Sequence, residues 1–135
     1  MNETRVLDTV AALDRLPEVT RFVRETCGAG REDELPGIDL IVEELFLNIV
    51  KHACPGETVR VACSLVEPGL AGLEFIYGGA RFDPTAEAPE PDLEASLADR
   101  RIGGLGVFLV REMSTAVTYR WEGGLNRLAV KARLP

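Results

Sequence analysis

The spacing of apolar residues divides this chain into helical and extended stretches. Residues 41–53 (IVEELFLNIVKHA) hold good helix formers with no Gly or Pro among them. At 100° per residue, Ile38, Val42, Leu45, Ile49 and Ala53 gather on one side, as in an amphipathic helix. Residues 11–27 predict another helix, with Leu13, Leu16, Val19, Phe22 and Val23 at helical spacing. Asp14 is placed to cap it, Pro17 fits its first turn, and glycines at 28 and 30 end it. Alternating stretches predict strands at residues 5–10, 59–66 (VRVACSLV) and 73–77 (LEFIY), with turns at Pro55-Gly56 and Pro68-Gly69. A short apolar helix is predicted from GVFLVREM, residues 106–113. The last two strands, residues 116–121 and 125–134, flank a hairpin turn at Glu122-Gly123-Gly124.

Two segments carry no such pattern. Residues 31–37 read as a polar connector ahead of the central helix. Residues 78–101 (GGARFDPTAEAPEPDLEASLADRR) are rich in Pro, Ala and acid, and a loop this long in a compact domain is usually functional or disordered. The elements together predict one domain over residues 1–135 with a lid loop at about 83–102. Its class is α/β: a two-layer sandwich of a mostly antiparallel mixed sheet and about three helices.

Composition narrows the setting. At 135 residues, 46% of them apolar and 27% charged, the chain falls in the ordinary globular range. A net charge of −7 argues against direct nucleic-acid binding and against an anionic membrane surface. Cys27, Cys54 and Cys63 are odd in number and lack metal-ligand spacing, which predicts reduced thiols, buried or half buried, in a cytoplasmic protein. The N-terminal MNETRVLDTV has no signal-peptide pattern, and Glu43, Glu44 and Lys51 break the best apolar run short of a membrane span.

The candidate chemistry sits on the central helix. Glu44, Asn48 and His52 are spaced i, i+4, i+8 and form one row at the edge of the apolar stripe. An Asn and a carboxylate one turn apart can hold a hydrated cation and activate a hydroxyl, although an isolated Glu-x-x-x-Asn is more often a solvated helix edge. For His52 alone, core packing is at least as good a reading. Gly103, Gly104 and Gly106, with Leu105 among them, open the last helix, where glycine backbone and free N–H groups can approach a phosphate closely.

Three pieces therefore stand in order: EELFLNIVKHA, then Gly79 with Phe82-Asp83-Pro84, then GGLGVFLVREM. Together with YRWEGGLNRL, this order resembles the Bergerat-fold (GHKL, histidine-kinase-like) ATPases, and within them the small stand-alone anti-sigma factor serine/threonine kinases. The resemblance implies ATP with Mg2+ as cofactors, Asn48 as metal ligand and Glu44 as catalytic base. It further implies phosphate or nucleotide contacts from Lys51, His52, Gly79, Arg101 beside Arg100, Gly103, Gly104, Leu105 and Gly106. The partners it implies are a sigma factor and an anti-anti-sigma (STAS-type) protein, and the exposed apolar content permits a homodimer.

The chain departs from the family where the base is recognised. The family's Asp-x-Gly keeps its glycine as Gly79, but Tyr77 stands at the Asp position, and residues 126–130 lack the Thr common on the last strand. A phenol in place of a carboxylate removes the main acceptor for the adenine amino group. The alternative that Tyr77 implies is a non-catalytic partner-binding module that has lost ATP.

Overall fold

The structure is a computed structural model that describes residues 3–28, 35–86 and 102–135, the last range with side chains from Gly106 onward. Its elements run β1 (Arg5–Val10), a 3-10 turn (Leu13–Arg15), α1 (Leu16–Cys27), α2 (Pro36–His52), β2 (Thr58–Glu67), β3 (Leu70–Tyr77), α3 (Ile102–Met113), β4 (Ala116–Glu122) and β5 (Leu125–Arg133). The strands form a five-stranded sheet in the order β1-β2-β3-β5-β4. All four pairings among the described residues are antiparallel, so the expected sandwich stands with no parallel component.

The register explains the two layers. Period two puts Leu7, Val61, Phe75, Leu128 and Tyr119 in one cross-strand row, and Thr9, Val59, Tyr77, Asn126 and Trp121 in another on the same face. The inner members of these rows are buried and join one core with Val19, Phe22 and Val23 of α1 and the buried face of α2. The other face carries charge, with Arg60 donating to Asp8 at 2.8 and 3.1 Å and Arg127 to Glu74 at 3.3 Å. One face is apolar and covered; the other is polar.

α2 is the central element, as its sequence predicts, but its buried arc is wider than the predicted stripe. Ile41, Phe46 and Val50 are buried in addition to Ile38, Val42, Leu45 and Ile49. At 100° per residue that arc covers about half the circumference, because α2 packs against the sheet and also against α1 and α3. Each of these side chains contributes about 1.5–3 kcal/mol of gross burial.

The other boundaries differ in small, physical ways. The chain enters α1 through the 3-10 turn, so Asp14 lies inside that turn and Arg15 takes the N-cap position without a side-chain cap. Pro17 is in the first turn of α1 as expected. α2 begins at Pro36, so Gly37 belongs to the helix and not to the connector. α3 begins at Ile102, which puts the glycines inside its first turns and not ahead of it. The β4–β5 hairpin has Gly123 and Gly124 at φ 62° and 79°, the two left-handed residues of a type I′ turn, which glycine adopts without strain.

Candidate functional site

α2 and α3 run antiparallel. A Cβ built on Gly37, at the start of α2, would lie 3.0 Å from Met113 Cε at the end of α3. A Cβ on Gly106 would lie 1.9 Å from the Glu44 carboxylate, so the glycine backbone packs directly onto that acid. The two contacts are seven residues apart on each helix, and the same register sets the N-terminus of α3 level with Asn48. The free N–H groups of that helix end thus face the region beside Asn48.

Glu44 is half-buried, and burial, reinforced by the charge of Glu43 and opposed by Lys51, raises its carboxyl pKa. A carboxylate held in this way is a better proton acceptor than a fully solvated one. Asn48 donates from Nδ2 to the Glu44 carbonyl at 2.7 Å, which leaves Oδ1 as the atom available to a cation. The same bond fixes the rotamer of Asn48. Among the described residues no three His, Cys, Asp or Glu side chains cluster as a metal cage.

The far end of α2 meets the turn after β3. Gly79 adopts φ +78°, and a Cβ there would lie 2.3 Å from the Ala53 carbonyl oxygen, so the turn rests on the end of α2 and excludes any side chain. Lys51 and His52 are exposed on the last turn of α2. The His52 ring lies 5.6 Å from that of Phe82, at 46°. Of the two readings of His52, core packing is excluded: the exposed ring sits against Phe82 at the rim.

Behind this turn sits a residue whose role the sequence did not reveal. Asn126, 0% exposed, donates from Nδ2 to the carbonyls of Tyr77, Gly78 and Ala80, each at 3.1 Å. Its Oδ1 accepts from Phe82 N at 2.8 Å and from Tyr119 Oη at 2.5 Å. The Tyr77 hydroxyl donates to the Phe82 carbonyl at 2.8 Å, and burial raises its pKa. Asp83 Oδ1 then accepts from the N–H and hydroxyl of Thr85, at 2.9 and 2.6 Å, and closes an Asx turn. The signal for Asn126 was period two: it shares the inward phase of Leu128, Val130 and Ala132, where a polar residue needs internal partners.

Of the candidates, Glu44, Asn48 and Gly106 come together, and Gly79 and His52 mark the other end of the same helix. Gly103, Gly104 and Leu105 lie in the first turns of α3. Arg100, Arg101 and most of the expected lid, residues 87–101, lie outside the described residues. A hollow on α1, lined by Leu16, Pro17, Thr20, Arg21, Arg24 and Glu25, includes none of the candidates.

A helix bearing an acid and an amide, set antiparallel to a glycine-opened helix over an antiparallel sheet, makes this a two-layer α/β domain. Residues 9–131 match the histidine kinase-like ATPase domain family, and the chain belongs to it. It is similar to the Serine/threonine-protein kinase BtrW of Bordetella bronchiseptica, with 34% identity over 95 residues. That alignment covers 69% of this chain and 66% of the Bordetella protein, just under two thirds of its length. No helix among the described residues is long and apolar enough to cross a membrane.

Proposed function

We propose that this domain binds ATP with magnesium and transfers the terminal phosphoryl group to a serine or threonine hydroxyl of a partner protein. The observation that carries this reading is the pairing of Glu44, with its raised pKa, and Asn48, with its free amide oxygen, one turn apart beside the backbone of Gly106. Asn48 would offer Oδ1 to the magnesium ion, which when bound supplies neutralisation of charge on the phosphates. Glu44 would accept the proton of the substrate hydroxyl. The N–H groups at the start of α3 would hold phosphate oxygens, with Gly103, Gly104 and Gly106 permitting close approach. Lys51, exposed one turn from Asn48, adds positive charge to the same end of α2.

Similarity to a serine/threonine kinase supports a protein as substrate. The resemblance to anti-sigma factor kinases extends the proposal to a STAS-type anti-anti-sigma protein as acceptor and a sigma factor as the second partner. The test is calorimetric titration of Mg-ATP, followed by phosphoryl transfer to such an acceptor, with Asn48→Ala as control. Binding and transfer are expected in the parent and lost in the variant at unchanged Tm. Transfer surviving Asn48→Ala would remove the metal role of Asn48, and absence of transfer from the parent would remove the kinase reading.

Tyr77 favours a second reading. Its hydroxyl is already committed to the Phe82 carbonyl, so it leaves no carboxylate acceptor for a nucleobase amine at that position. A partner-binding module that does not use ATP is the consequence. It predicts no heat up to millimolar Mg-ATP from a folded protein, and partner affinity indifferent to nucleotide.

A further inference from the structure

Two thiols meet where α1 ends on the sheet. Cys27 is the last residue of α1, and Cys63 lies inward on β2 between Arg5 of β1 and Leu73 of β3. Their Sγ atoms are 3.0 Å apart and each residue is 1% exposed. A disulfide needs about 2.05 Å between the sulfurs, so closure calls for a movement of roughly 1 Å. Two elements far apart in sequence thus present their sulfurs to each other without rearrangement of the backbone path.

The surroundings are polarised as well as close. Arg5, the Cα partner of Cys63, donates from Nη1 to Thr26 Oγ1 at 3.2 Å, beside Cys27, and its guanidinium lies 5.5 Å from the centre of the Phe22 ring. The contact between the sulfurs, in which either can donate, lowers the pKa of Cys27 and, with burial, raises that of Cys63. That is the division between an attacking and a resolving sulfur. Both sulfurs are buried, so a peroxide would need local opening, for which β1, the outermost strand on this side, is the natural edge.

We propose that Cys27 and Cys63 are a disulfide-forming pair, a two-electron oxidation site for a hydroperoxide that fastens α1 to β2. The Cys27 thiolate attacks the peroxide oxygen, the O–O bond breaks, and the departing alkoxide takes a proton to leave as the alcohol, or as water from hydrogen peroxide. Cys27 is then a sulfenic acid. The Cys63 sulfur attacks the Cys27 sulfur, the S–S bond forms, and the hydroxyl leaves with the Cys63 proton as water. Two thiols are oxidised by two electrons and one peroxide is reduced. The bond joins the helix that Arg24 ties to α2 through Asp39, at 3.0 and 2.6 Å, so it stiffens the support of the helix bearing Glu44 and Asn48. It draws on none of the candidate-site residues and stands whether or not ATP is bound.

The test treats the full chain with hydrogen peroxide, unfolds it, alkylates the remaining thiols and measures intact mass. The expected product is 2 Da lighter than the parent before labelling and takes one alkyl group, on Cys54. A Cys27–Cys63 cross-linked peptide and reversal by dithiothreitol should accompany it, together with a rise in Tm of several degrees. In Cys63→Ala the sulfenic acid of Cys27 has no resolving partner and should be trapped by dimedone. Should that variant fail to fold, Cys54→Ser leaves the pair as the only thiols and must lose both. Three alkylatable thiols after peroxide, a cross-link through Cys54, or Cys27 over-oxidised with Cys63 still reduced would each overturn the proposal.

Discussion

Two asparagines stand at opposite ends of the candidate site, and they spend their bonding capacity in opposite ways. Asn126, at the junction of β3 and β5, is fully buried, with three carbonyls sharing its two N–H hydrogens and two donors on its oxygen. Asn48, on α2, is half-buried and gives its amide N–H to its own helix at 2.7 Å. An amide with every partner supplied by the chain holds structure together, whereas one with an oxygen to spare can take a ligand. The same contrast separates the regions around them. Tyr77, Tyr119 and Phe82 are locked in hydrogen bonds with Asn126 or with each other, while the Glu44 carboxylate lies against the bare backbone of Gly106. The Asn126 end is built as core, and the end beside the start of α3 is where the proposed chemistry would run.

The largest effect should come from replacing the saturated asparagine. Asn126→Leu leaves three carbonyls and the Phe82 N–H without their side-chain partner at a buried to half-buried site, a cost of about 3–5 kcal/mol. The corresponding fall in Tm is roughly 10–20 °C, readable by thermal or urea unfolding. Asn48→Ala should shift the same midpoint by about 2 °C or less, since it removes a single bond at a partly solvated site. If the two variants unfolded alike, the contrast between the two ends would be wrong.

Next comes the acid–glycine contact. Gly106→Ala puts a methyl where the Glu44 carboxylate now lies, and that carboxylate is the far end of a flexible side chain that can swing away. Stability should change by about 1 kcal/mol or less, because Ala also favours the helix. Phosphoryl transfer, by contrast, should drop by about 100-fold, since a base displaced by an ångström is a poor base. Retained activity with a crystallographically shifted Glu44 would detach that residue from catalysis.

These contrasts also mark what was legible in the chain beforehand. Apolar period gave α2 and every strand to within a few residues, because burial on one face is written in spacing. That Glu44 and Asn48 lie one turn apart followed from the same periodicity, while the roles proposed for them came from the family resemblance. Asn126 was not, because its five partners come from residues 77–82 and 119, distant in sequence and joined only by the β3–β5 and β4–β5 registers. The pairing of Cys27 with Cys63 was hidden for the same reason, since α1 packing on β2 is a tertiary fact. Helix phase alone left core packing open for His52, because it points the residue near the apolar arc, whereas the helix ends there and the ring finds Phe82 at the rim.

A smaller effect sharpens the structural end. Tyr77→Phe keeps the buried ring and deletes only the donor to the Phe82 carbonyl, at a cost of about 1 kcal/mol. Nucleotide affinity should be unmoved under the kinase reading, since that hydroxyl is engaged with backbone. A gain or loss of Mg-ATP binding, followed by calorimetry, would mean that the phenol reaches the base site after all.

The smallest stability change should have the opposite sign. Glu44 has a raised pKa in the folded protein, chiefly through burial, so between the ordinary carboxylate range and its raised value the folded state binds more protons than the unfolded one. Stability from this group therefore falls as pH rises through that window, and at neutral pH the ionised side chain is a net cost. Glu44→Gln removes the cost, so the variant should unfold at a slightly higher temperature at pH 7 and lose that advantage in acid, where the parent's carboxyl is protonated as well. A solvated helix-edge glutamate would give no such pH-dependent gain. Transfer to a partner hydroxyl should meanwhile fall by about 100- to 10,000-fold, because an amide cannot take the proton. Parent activity should also fall on acidification through a pKa above the usual carboxylate range. Unfolding curves at pH 7 and pH 4, set beside transfer rates, test both halves at once. A variant less stable at pH 7 would make Glu44 part of the scaffold, and the open end of the cleft would then differ from the Asn126 end only in degree.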